Sequence, residues 1–291
     1  MSLPWSKVVR LRVTPHVASG NLVRRGLRPR VLARTGQAAS APAAAKAGAV
    51  AAQAAALAPA IDAVFAELAK TAPLRGARLE VEWADALMVF DVANGDFAGN
   101  SDAQLQSVAA ACMTELLGDA APAHEIRWQL QRDGKHLLIG AIAHEYLRLL
   151  SEAAGRHGLH LSSIEPDFCL QWNRHAAAVK RDTSVFAVVS GHDAVIACVD
   201  KGAVAAISSG AWVNGALPRV DANDDTSKLA RAVADGRPVK EPLLDIRLTR
   251  LLASVGLDPA AASDCVLVAP GWARNKVSSR WTVLNRDATA A

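Results

Sequence analysis

A chain of 291 residues, 51% of them apolar, can bury a substantial core and make one large domain or two of ordinary size, which excludes an intrinsically unfolded chain. Its four cysteines, Cys112, Cys169, Cys198 and Cys265, are widely spaced among apolar neighbours with no C-x-x-C pair. That excludes a disulfide frame or zinc knuckle and predicts buried free thiols in a reducing compartment. The charge is uneven: residues 1–61 hold nine Lys or Arg and no Asp or Glu, so with a total of +4 the remainder carries −5.

The predicted elements begin in that basic segment. K-V-V-R-L-R-V at residues 7–13 alternates with period two, the mark of a half-buried strand rather than of an amphipathic transit helix. Residues 8–13, 16–23 and 30–33 read as a three-strand meander broken at Thr14-Pro15 and Arg25-Gly26. Its basic character suits an anionic lipid surface, an acidic partner or simply a solvated face. Nucleic acid is disfavoured, because few aromatics interleave with the basic residues and no binding signature is present. Residues 37–60 are mostly alanine, interrupted by Pro42, Gly48 and Pro59, and read as a linker or loose helix. From Ile61 the spacing through Val64, Phe65 and Leu68 is helical. R-L-E-V-E-W at 78–83 is a clean strand, and 87–92 is another candidate.

Ser101 is the expected N-cap of a helix through Leu105, Val108, Ala109, Cys112, Leu116 and Leu117. Strands at 126–131 and 136–142 flank the turn Asp133-Gly134. An amphipathic helix over 145–154 ends near Gly155 or Gly158. Residues 159–165 form a strand leading through Pro166 into a helix at 168–173. Strands at 184–190, 194–200 and 202–208 then repeat the opening meander. Helical patterns run through Leu229, Ala230 and Val233 and from Pro242 to Gly256, with strands at 265–269 and 281–284. Strand meanders alternating with helices, twice over, predict an α/β protein with two related sheets. Neither 137–143 nor 265–270 reaches the ~18 apolar residues of a membrane span, so no span is expected.

Catalytic patterns are incomplete. His144-Glu145 opens like a zinc-protease helix, but Arg148 stands where the second histidine belongs. His157 and His160 read as exposed turn residues. Ser208-Ser209-Gly210 lacks an identifiable base and reads as a turn. The sequence has no G-x-S-x-G, no P-loop and no G-x-G-x-x-G. Seven tryptophans against one tyrosine are expected in the core or lining a groove.

Residues 87–168 resemble bacterial pilus-assembly and secretion proteins of the PilM type, members of the actin-like, ribonuclease-H-like superfamily. The succession carries the likeness: the loop to Phe97, the Ser101-Asp102 helix start, H-E-Y-L-R-L-L-S-E-A-A (144–154), G-L-H-L-S-S-I-E-P (158–166) and V-F-A-V-V-S-G (185–191). The resemblance implies a two-domain actin-like α/β fold with a small inserted α/β subdomain. Residues 1–83 would form the first half, 84–160 the insert, 161–182 a return strand and connecting helix, and 183–291 the second half.

It also implies a nucleotide cleft between the halves, with Gly191 and Gly271 as remnants of its loops. An acid and a glycine in each phosphate loop would manage magnesium and let backbone N–H groups approach phosphate. This chain has Thr14-Pro15-His16 in the first loop, where proline removes a donor, about Val189 at the acid position of the second, and Pro270 before Gly271. No cofactor and no metal are therefore expected, with ATP as the alternative. The reading is a non-catalytic cytoplasmic scaffold, peripheral to the inner membrane, of a type IV pilus or type II secretion assembly. It would hold the cytoplasmic tail of a membrane partner, with an anionic membrane surface as a second contact. An active actin-like ATPase or sugar-kinase relative is one alternative, and an unrelated α/β interaction module is another.

Overall fold

The computed structural model describes residues 7–39, 49–179, 184–190, 193–211, 243–254, 264–269 and 281–286. In chain order the elements are β1 (Lys7–Val13), β2 (Val17–Arg24), β3 (Arg30–Ala38), α1 (Ala49–Thr71), β4 (Arg78–Trp83), β5 (Val89–Asn94), α2 (Asp102–Leu117), β6 (His124–Leu130) and β7 (His136–Ala143). They continue with α3 (His144–Arg156), β8 (His160–Pro166), α4 (Asp167–His175), β9 (Ser184–Ser190), β10 (Asp193–Asp200), β11 (Ala203–Ala211), α5 (Leu243–Ser254), β12 (Asp264–Ala269) and β13 (Trp281–Asn285). The chain divides into two compact units: residues 1–89, 113–127 and 140–170, and residues 90–112, 128–139 and 171–291. The helical pattern expected at Leu229 to Val233 lies outside the described residues.

The first unit is built on the sheet β3-β2-β1-β4-β8. β1, β2 and β3 form an antiparallel meander, while β4 lies parallel to β1, and β8 to β4. Alternation in β1 sends Val9, Leu11 and Val13 into the core and turns Arg10 and Arg12 the other way. There the parallel register sets Arg10 beside Glu80 and Arg12 beside Glu82, with ion pairs of 3.2 and 3.0 Å. Arg25 also pairs with Glu80. The acidic R-L-E-V-E-W strand is thus the neighbour of the basic one, and each such part-exposed pair contributes about 0–1 kcal/mol.

Helix α1 covers the apolar face. Leu57, Ile61, Val64, Phe65 and Leu68 are fully buried at spacings of four, three, one and three, the stripe of a core helix. The helix starts twelve residues before the expected Ile61, absorbing most of the alanine-rich stretch. Alanine has the highest helix propensity, and Ala54, Ala56, Leu57 and Ala60 are buried, which offsets the ~3 kcal/mol cost of Pro59 within the helix. By length and composition α1 would also pass for a membrane span, which corrects the expectation that no stretch would. Its buried stripe belongs to the core of the first unit.

Two side chains tie later elements to this layer. Asp62 on α1 accepts hydrogen bonds from Arg156 at 2.8 Å and His157 at 3.3 Å, and the His157 ring lies edge-on to Phe65 at 5.3 Å. His157 is therefore a packed residue, not the exposed one expected, whereas His160 is exposed. Gly158 has φ +65° and lets Leu159 N–H return to Ala154 O at 2.9 Å, closing α3. Buried Asp85 caps α4 by accepting the Phe168 N–H at both carboxylate oxygens, 2.9 and 3.0 Å away.

A further sheet of three strands runs β5-β7-β6. Leu87, expected in the strand that became β5, sits in a short 3-10 turn instead. The cap of α2 is reciprocal: Ser101 N–H donates to Gln104 Oε1 at 2.8 Å, and Gln104 N–H to Ser101 Oγ at 3.4 Å. Gly134 takes φ +67° in the β6–β7 turn.

The second unit repeats the first in connectivity. Its sheet runs β11-β10-β9-β12-β13, an antiparallel meander followed by two parallel strands. Even the irregularities correspond, with one extra residue in β3, Leu32, opposite Leu22 and Val23, and one in β11, Ala205, opposite Cys198 and Val199. Leu248, Leu251 and Leu252 of α5 pack with Val185, Ile196, Leu267 and Trp281. Within this unit Gln131 bonds Val204 both ways, its amide donating to Val204 O and accepting Val204 N–H, each at 2.6 Å.

The close approach of α1 is tested at Gly20, where a Cβ would lie 2.6 Å from Val64 Cγ1 and 3.1 Å from Leu68 Cδ1. Gly20→Ala is expected to lower stability by about 1–3 kcal/mol, read as a lower urea midpoint with an unchanged m-value.

Candidate functional site

The β1–β2 turn, Thr14-Pro15-His16, is the first place to look for ligand chemistry, since a phosphate loop needs N–H groups free to point at oxygen. Here they are engaged within the turn. Thr14 N–H donates to Val17 O at 2.9 Å, Pro15 has none, and Val17 N–H donates to Thr14 Oγ1 at 3.0 Å. At most His16 has an N–H to offer. The carbonyls are engaged as well: Pro15 O accepts from Gln53 Nε2 at 2.7 Å and His16 O from Ala39 N–H at 2.7 Å. Arg10 and Arg12, the nearest cations in sequence, are paired with the acids of β4.

In the second unit the corresponding turn follows β9, and both Gly191 and Gly271 lie outside the described residues. Val189, at the position of the sought acid, is fully buried and pairs with Ala194. Sequence reasoning missed Arg286. This buried arginine directly follows β13, donates from Nη1 to Val189 O at 2.8 Å, and its own N–H bonds Ala269 O at 3.0 Å. It thereby marks the carboxyl ends of the parallel strands β9 and β12, where ligands of α/β sheets bind. A single arginine after V-L-N gives no sequence signal of that placement.

The remaining candidates separate. Arg148 pairs with both Glu145 and Glu152, and His144 Nε2 is 3.7 Å from Glu125. Among the described residues no three His, Cys, Asp or Glu side chains gather as a metal site. Ser208, Ser209 and Gly210 lie within β11 rather than in a turn. Cys198 and Cys265 are buried as expected, but Cys112 and Cys169 are only half-buried. Burial, then the charges of Asp85 and Glu165, push the Cys169 thiol up to about 12. Burial and Asp200 push that of Cys198 to about 11. Trp83 and Trp281 are core residues, while Trp128 and Trp172 are half-buried. Trp5, Trp212 and Trp272 lie outside the described residues.

The feature best suited to recognition is β6, an edge strand of the three-stranded sheet. Gln131 N–H points toward β7, donating to His136 O at 2.9 Å. By the two-residue period, the main-chain groups of Ile126, Trp128 and Leu130 point outward. These same residues are half-buried, whereas Arg127 and Gln129 are exposed. The Trp128 indole N–H is held by Gln106 Oε1 at 2.7 Å. The edge thus offers donors and acceptors along an apolar row.

The doubled sheet of three antiparallel and two parallel strands has counterparts among solved structures. The PilM-PilN type IV pilus biogenesis complex matches with 13% identity and a TM-score of 0.59 over 96% of this chain and 88% of that one. A Bacteroides thetaiotaomicron protein with an actin-like ATPase fold and unknown function matches with 10% identity and a TM-score of 0.52, over 93% and 84%. The fold is actin-like. No family model and no curated protein matches the sequence.

Two outcomes are expected. Millimolar Mg-ATP leaves the thermal midpoint unchanged within about 1 °C, whereas a ligand at ~100 times its Kd adds about 2.7 kcal/mol and shifts the midpoint by several degrees. Native protein treated with iodoacetamide at pH 8 remains unmodified at Cys169 and Cys198 by peptide mass spectrometry, because thiols titrating near 12 and 11 stay protonated there.

Proposed function

We propose that this chain is a non-catalytic cytoplasmic scaffold of a type IV pilus or type II secretion assembly at the inner membrane, and that it holds the cytoplasmic tail of a membrane partner. The carrying observation is the β1–β2 turn of an actin-like sheet, with its N–H groups closed on Thr14 and Val17. Phosphate chemistry requires those donors; protein binding does not. The likeness to PilM, solved together with PilN, supports a peptide-binding role, and the resemblance of residues 87–168 to PilM-type proteins supports the same assembly. The tail would add to β6 as an extended strand, bonding the outward groups of Ile126, Trp128 and Leu130 and seating alternate side chains along their apolar row.

A second reading, an anion- or nucleotide-binding actin-like enzyme, is favoured by Arg286 alone, a guanidinium at the carboxyl ends of β9 and β12. Saturable Mg-ATP binding would select it.

The test of the first reading uses synthetic peptides covering the cytoplasmic tails of inner-membrane pilus and secretion proteins, titrated calorimetrically into the full chain. One tail should bind. Ile126→Pro, which removes an outward donor from an edge strand that tolerates proline, should weaken it at least about tenfold, the loss of one to two hydrogen bonds. Ile126→Ala, which keeps the N–H, should cost less. Equal affinity of wild type and Ile126→Pro would remove β6 from the account, and no binding by any tail would remove the scaffold reading.

A further inference from the structure

We propose that the tip joining β2 to β3, with the basic end of the first sheet behind it, docks on an anionic lipid surface. The topology gathers the charges. β2 ends where β3 begins, and the starts of β1 and β4 lie at that same end, as the partners Lys7–Arg24, Arg24–Arg30 and Val8–Arg78 require. Lys7 Nζ also donates to Pro73 O at 3.1 Å, joining the turn that carries Arg75 to the same end. Arg24, Arg28, Arg30, Arg75 and Arg78 are all exposed. Glu80 pairs with Arg25, but Arg28, Arg30, Arg75 and Arg78 make no ion pair among the described residues.

Like charges held together repel one another unless an opposite surface meets them. The nature of that surface is indicated by Leu27. Its side chain is fully exposed, at 102%, in the middle of the tip and flanked in sequence by Arg25 and Arg28. A lone exposed leucine has no meaning by itself, but between arginines it matches the lipid boundary, with the apolar group entering the acyl edge while guanidinium heads stay among phosphates. A single-stranded nucleic acid would use aromatic rings for stacking, and residues 24–30 contain none. The proposal goes beyond peptide capture by β6 and does not need it.

Co-sedimentation of the full chain with phosphatidylcholine vesicles, with and without phosphatidylserine, tests this. Binding is expected only with phosphatidylserine and is expected to weaken as salt is raised. At about fivefold per basic residue, the triple variant Arg28→Glu, Arg30→Glu, Arg75→Glu should bind on the order of 100-fold more weakly. Leu27→Ser should bind about tenfold more weakly. Because these residues are exposed, both variants should retain the wild-type thermal midpoint, and Ile126→Pro should retain vesicle binding. Absence of binding to phosphatidylserine vesicles overturns the proposal, as does a triple variant or a Leu27→Ser variant that binds like wild type. Poly-glutamate bound as tightly as the vesicles overturns it in favour of an acidic protein surface.

Discussion

The first unit depends on how closely α1 lies over the sheet. Val64 and Leu68 occupy the space above Gly20, so one face of the meander is sealed and its alternation cannot slip by a residue without burying arginine. Parallel β1 and β4 require a crossover, which α1 supplies while covering the face it crosses. Everything charged on these strands is then forced to the opposite face. Basic β1 and acidic β4 become adjacent there, and part of the charge asymmetry of residues 1–61 is answered locally.

The second unit uses the same plan with different chemistry. β9 is buried along its whole length, whereas β1 alternates between buried and part-exposed residues. A shared topology therefore does not carry a shared site. In the first unit the turn that could bind an anion is closed by a threonine hydroxyl, and in the second a buried arginine holds the carbonyl of Val189. Among the described residues the edge of a small sheet stays open, which suits recognition of a chain better than chemistry on a small molecule.

Much of this was legible in the sequence, for identifiable reasons. β4 and β9 have the predicted bounds because their patterning is local, and the N-cap at Ser101 is likewise local, its partner Gln104 standing three residues on. β3 runs to Ala38, beyond the expected Ala33, because Ala38 pairs with Val17, and a ladder partner leaves no mark on the strand itself. The early start of α1 comes from burial that alanine alone does not announce. His157, Gln131 and Arg286 were misread or missed because their partners, Asp62, Val204 and Val189, stand at least 73 residues away. The candidate site was less legible than the fold: proline in the first turn was visible, but closure by Thr14 and Gln53 was not, and the outward row of β6 depends on which strand its neighbour is.

Gln131 shows how such a fold can be adjusted. A strand ladder is made of main chain and is indifferent to most substitutions, but the bond between the β6–β7 hairpin and β11 is a side-chain amide imitating a strand end in both directions. Its chemistry is held by one codon. Glutamate would keep the reach and lose the donor, and lysine would lose the acceptor, so one nucleotide change can loosen the attachment of the three-stranded sheet without altering a strand, a turn or a core residue. Relatives of such a chain have a short mutational path to a more loosely tethered β6 edge, with the doubled sheets left intact.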